Sequence, residues 1–154
     1  VTFIATANIG NEYTATRVLE RALLDRFIVI EMDLLDKTQE FELLKMMFPK
    51  VETDLLDKIA SIVSDTRSEL AQENPRISTH ISTRASVEMA GLAYDGFNLL
   101  ECAEVTVYPQ YDDAGGLDSE RTFIKQVVQK YADDGTSEDL FNVEEDGNDY
   151  TEVR

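Results

Sequence analysis

Residues 3–27 read FIATANIGNEYTATRVLERALLDRF, and the fold expected of the chain turns on them. Residues 1–7 are apolar and β-branched almost without a break. That pattern fits a strand covered on both faces, as in a parallel sheet, better than a half-exposed hairpin strand. Asn8, Ile9, Gly10 and Asn11 interrupt it with turn chemistry. Over residues 14–25 the apolar positions Val18, Leu19, Ala22 and Leu23 recur at helical spacing. Arg26 follows at the helix end, and Phe27-Ile28-Val29-Ile30 starts a second apolar run read as a buried strand. The first 35 residues are therefore expected to be α/β, contributing two strands to a parallel sheet. A polar side chain at the carboxyl end of such a strand sits where open α/β sheets bind ligands, and here that residue is Asn8. Arg26, projecting from the far end of the next helix, is better placed to serve the pocket of a neighbouring subunit than that same pocket.

From there the pattern is helical. Asp36 with Gln39 three residues later forms a capping-box variant, opening a helix that carries Phe41, Leu44, Met47 and Phe48 on one face and stops before Pro49. A longer helix is predicted over residues 53–72. Its stripe is Leu55, Leu56, Ile59, Ile62, Val63 and Leu70, and Asn74-Pro75 ends it. Residues 76–81 read as a short extended stretch. Ser82 caps a helix to about Asp95, with Arg84 in its first turn. A short helix or turn covers residues 97–107, and residues 109–116 are loop. A last amphipathic helix starts at Asp118 or Ser119 and ends near Tyr131. Residues 132–154 are acidic, poor in aliphatics and expected to be disordered.

The formal net charge is -17. No basic stripe of the kind that tracks a phosphate backbone is visible, so direct nucleic-acid binding is not expected. No apolar run approaches the ~20 residues that span a bilayer, and anionic membranes are disfavoured. Cys102 is the single cysteine, which rules out an intrachain disulfide and makes a reducing compartment, the cytoplasm, the default. Two strands cannot bury their own faces, and the chain starts in the middle of one of them. The chain is therefore expected to be the C-terminal part of a longer polypeptide.

Three short segments resemble the AAA+ ATPases, in the MoxR-type branch that includes the Rubisco-activation and gas-vesicle ATPases. They are Ala5-Thr6-Ala7-Asn8 with Glu12-Tyr13 following, then Ala22-Leu23-Leu24-Asp25-Arg26-Phe27, then Ser82-Thr83-Arg84-Ala85. The resemblance covers residues 1–108. It implies that residues 1–35 end an α/β subdomain, with a sensor-1 strand and an arginine-finger helix, and that residues 36–108 are an α-helical lid. Residues 109–131, a loop and terminal helix, and the acidic tail from 132 to 154 fall outside it. Thr83 stands where the branch usually has proline, and Ala15 where it usually has glycine.

The resemblance also implies roles. Asn8 would lie between the ATP γ-phosphate and the attacking water, because an amide offers both a donor and an acceptor and stays neutral; an Asx-turn is the plainer alternative. Arg26 would be the finger completing the next subunit's site, or else simply a cation at a helix C-terminus. Arg21 would play a supporting part. Arg84 would be the sensor-2 residue. A positive charge in a first helical turn is locally unfavourable, so it calls for an anionic partner, either ATP phosphate or a carboxylate. ATP and Mg2+ would be bound mainly by upstream residues, since Gly91 and Gly96 lack a following Lys-Ser/Thr and Ile28-Val29-Ile30-Glu31 reads as a structural strand rather than a Walker B strand. His80 is the lone histidine, and with one distant cysteine it makes no zinc site.

The function expected is part of an ATPase working as a homo-oligomeric ring, a hexamer by resemblance, that remodels or activates a protein client or cofactor protein. This stretch alone is not expected to hydrolyse ATP. The alternative is a non-catalytic acidic helical module that binds a basic partner.

Overall fold

The computed structural model describes residues 2–6, 25–30 and 32–132, and the chain divides into two units, Val1–Leu34 and Leu35–Arg154. The first unit corrects the α/β expectation. Its described residues include no strand: residues 2–6 and 28–30 are irregular, and residues 25–27 form a turn and bend. The side chains read as strand interior stand in solvent, with Ile4 at 91%, Ile28 at 94% and Ile30 at 79% exposure. An apolar β-branched run expresses a tendency to be paired and covered, but the neighbours on a sheet decide whether a strand forms. Among the described residues there is neither a ladder partner nor a covering layer. Every regular element among the described residues is helical, so what is described is an all-α fold, and the parallel-sheet end of an AAA+ core expected over residues 1–35 is not found among them. The helix expected over residues 14–25 lies, apart from its last residue, outside the described residues.

The second unit is built from five α-helices among the described residues: α1 Lys37–Met47, α2 Thr53–Leu70, α3 Thr83–Tyr94, α4 Leu99–Thr106 and α5 Glu120–Ala132. Two short 3-10 turns, Tyr108–Gln110 and Gly116–Asp118, lie between α4 and α5. Asp36 caps α1 as its sequence predicts. Its carboxylate accepts from Gln39 N at 2.8 Å, and Gln39 Oε1 accepts from Asp36 N at 3.1 Å. A second reciprocal box, Asn98 with Glu101, opens α4 with bonds of 3.0 and 2.9 Å, which turns the expected helix or turn at 97–107 into a helix. Helix α3 ends in a Schellman motif: Phe97 N donates to Leu92 O and Gly96 N to Ala93 O, both at 3.1 Å. Gly96 supplies the left-handed residue at φ +99° that this ending needs.

α2 is the central element. Leu56, Ile59, Ala60, Ile62 and Val63 are all buried on it. Against them pack Leu44 of α1, Met89 and Ala90 of α3, and Ile124 and Val128 of α5, while Cys102 and Ala103 of α4, which packs on α3 and α5, complete the same core. The free Cys102 thiol is part of this core, and burial pushes its pKa up, which makes it a packing residue. The segment between α2 and α3 is irregular rather than a strand, yet Ile77 and Ile81 insert into the core. Side chains hold its backbone. Ser78 N donates to Glu120 Oε1 at 2.7 Å, and Ile81 N donates to Thr66 Oγ1 at 3.1 Å.

The stripe read for α1 is corrected at one position. Leu44 is buried and Phe41 and Phe48 are partly so, but Met47 is 49% exposed. The other buried residue of α1 is Glu40.

Candidate functional site

Arg84 occupies the first turn of α3 and is exposed. Ser82 caps this turn, its hydroxyl accepting from Ala85 N at 3.2 Å. No ion pair among the described residues includes Arg84. A carboxylate neighbour would have accounted for a cation at the positive end of a helix; none of the described carboxylates does.

Immediately behind this turn lies a polar cluster that sequence reasoning did not find. Glu40 of α1 is fully buried and pairs with Arg67 of α2, Nη1 to Oε2 at 3.0 Å. Thr83 Oγ1 accepts from Arg67 Nη2 at 3.0 Å and donates to Glu40 Oε2 at 3.0 Å. Ser86 Oγ donates to Glu40 Oε1 and lies 2.8 Å from Thr83 O. Arg67 Nη1 also donates to Leu35 O, at the first residue of the unit. Arg67 Nε is buried without a partner among the described residues. Buried charges persist only when paired and hydrogen-bonded, and this pair draws its partners from α1, α2 and α3 together. A signal was available: Glu40 falls in line with Leu44 and Phe48 at four-residue spacing, which places a carboxylate on the face that packs inward.

Thr83, at the position where the resembled branch usually has proline, thus gains a role that a proline could not fill. A proline would have preset the backbone at the first helical position but could not hydrogen-bond through its side chain. The threonine hydroxyl joins the turn to both members of a buried ion pair.

His80 is half-buried beside this cluster, and burial, followed by the charge of Arg67, lowers its pKa from 6.5. The folded protein therefore holds a neutral imidazole. The unfolded chain takes up a proton near pH 6.5 and the folded one only at lower pH, so the stabilising contribution is complete above about 6.5 and is lost as pH falls. Urea denaturation at about pH 7.5 and about pH 5.5 is expected to give a larger loss of stability for the native protein than for His80→Gln. An equal loss in both would remove His80 from the account.

The remaining expected site residues divide in two. Asn8 and Arg21 lie outside the described residues. Arg26, in the turn that begins at Asp25, is exposed and in no ion pair among the described residues. It belongs to the first unit and Arg84 to the second. No group of three or more His, Cys, Asp or Glu side chains among the described residues is arranged to hold a metal ion. The guanidinium of Arg84 is chemically suited to a phosphate.

No family model matches the chain. It is 32% identical over 101 residues to "Putative chaperone BssE" of Thauera aromatica, a match covering 66% of this chain and 33% of that protein. The chain thus resembles a protein described as a chaperone, and its matched part spans about a third of the length of that curated relative. The comparison says nothing of nucleotide binding, ring assembly or the MoxR branch. No described helix is long and apolar enough to cross a membrane.

Proposed function

We propose that the chain is part of a MoxR-type AAA+ ATPase that assembles as a homo-oligomeric, hexameric ring in the cytoplasm and uses ATP hydrolysis to remodel or activate a protein partner. The observation that carries this reading is Arg84: an exposed guanidinium in a firmly held first helical turn, with no carboxylate among the described residues to neutralise it. The ordered run Ala5-Thr6-Ala7-Asn8, Ala22 to Phe27 and Ser82 to Ala85 adds support. The relative described as a chaperone is in keeping with a protein client.

On this reading ATP, when bound, supplies a phosphoanhydride whose cleavage powers the remodelling. Arg84 binds phosphate oxygens and carries the nucleotide state into the helical unit. Asn8 orients the attacking water through its amide. Arg26 reaches the site of the adjacent subunit and offsets charge on the transferring phosphoryl group, with Arg21 in support. The residues that cradle the phosphates and Mg2+ lie elsewhere in the intact protein.

The test is ATP turnover. The intact protein is expected to hydrolyse ATP in a magnesium-dependent manner, and residues 1–154 alone are not. If the intact protein does neither bind nor hydrolyse ATP but captures a basic partner in a salt-sensitive way, the chain is an acidic interaction module instead.

A further inference from the structure

The cluster around Glu40 and Arg67 touches two places that are far apart in sequence. Arg67 Nη1 donates to Leu35 O, where the chain enters the helical unit, and Nη2 donates to Thr83 Oγ1 at 3.0 Å, one residue before Arg84. Glu40 accepts from Thr83 at 3.0 Å and from Ser86. Residues 83 and 86 are therefore gripped on the inner side of the turn, while Arg84 and Glu88 are exposed. Ser82 already satisfies the helix end at 3.2 Å from Ala85 N, so the cluster is not needed as a cap. Nor is net stability its obvious product. A buried ion pair generally contributes little or nothing beyond well-packed apolar residues of the same volume, and its best-attested use is to specify one arrangement over others.

We infer that Glu40, Arg67 and Thr83 are positioning residues: they fix the direction in which Arg84 leaves α3 and link that turn to the chain at Leu35, so that a phosphate bound by Arg84 is felt where the helical unit begins. The inference rests on the reading of Arg84 as a nucleotide-phosphate contact. The hydroxyl of Thr83 is the joint. It accepts from the Arg67 guanidinium and donates to the Glu40 carboxylate, so removing it leaves each of them one partner short. A ligand that pulls on Arg84 strains the turn, and the strain passes through Thr83 to Arg67 and from Arg67 to the Leu35 carbonyl.

Equilibrium binding of a fluorescent ATP analogue to the intact protein tests this, using Thr83→Val, Thr83→Ser and Arg84→Ala singly and Thr83→Val combined with Arg84→Ala. Thr83→Val is expected to weaken binding about tenfold, and Thr83→Ser, which keeps the hydroxyl, to bind as the native protein does. In the Arg84→Ala background, Thr83→Val is expected to cause no further loss, because the hydroxyl acts through Arg84. In hydrogen exchange, nucleotide-dependent protection of residues 35–37 is expected in the native protein and Thr83→Ser and to vanish in Thr83→Val. Binding by Thr83→Val equal to native, or an equal loss with and without Arg84, overturns the inference while leaving the ATPase reading intact. Native protein that binds no nucleotide overturns both.

Discussion

Replacing Glu40 by alanine is expected to destabilise the helical unit by about 3–5 kcal/mol, as is typical when one member of a buried ion pair is removed. The carboxylate is fully buried and receives Arg67, Thr83 and Ser86. Without it, the Arg67 guanidinium, itself only 10% exposed, is left as an unpaired buried charge, and two hydroxyls lose their acceptor. Arg67→Ala should cost a comparable amount for the mirror-image reason. The pair as a whole is a different matter. Glu40→Met with Arg67→Met removes both charges together and is expected to cost much less than the sum of the two single changes to methionine. Denaturation followed by far-ultraviolet circular dichroism reads all of these. Single variants within about 0.5 kcal/mol of the native protein would show that the pair is solvated in solution.

Arg26→Ala is expected to lower ATP turnover by the intact ring about 10³-fold or more, the range measured where an arginine supplied in trans is lost from phosphoryl transfer. Assembly should survive, because Arg26 is exposed and forms no ion pair among the described residues. The decisive form of the experiment mixes two inactive variants. An Arg26→Ala subunit keeps its own Asn8, and an Asn8→Ala subunit keeps its Arg26, so mixed rings contain some interfaces with both. Turnover is expected to reappear on mixing. Mixtures as inactive as their components would place Arg26 in its own subunit's site or outside catalysis.

How far the sequence could be read depended on which forces are local. Capping is local: Asp36 with Gln39 and Ser82 before α3 were legible because a side chain and a backbone amide three residues apart need no other part of the chain. The stripe Leu56, Ile59, Ile62 and Val63 was legible for a similar reason, as one helix face at regular spacing. The first unit was misread because strand formation is not local. Val29 and Ile30 carry the right side chains, yet both are exposed, at 53% and 79%, and nothing described pairs with them. The Glu40–Arg67 pair was invisible for the same reason. Its members lie 27 residues apart, and only the packing of α1 on α2 makes them neighbours. Arg84 was legible as a cation in a first helical turn, but that it lacks a carboxylate partner among those described could be known only from the fold.

The most direct measurement is the affinity of the intact protein for ATP with and without the Arg84 guanidinium. On this account Arg84→Ala weakens binding at least about tenfold, as loss of a charge-assisted phosphate contact does, while the helical unit unfolds at the same urea concentration as before. Equal affinity in the two proteins would contradict it.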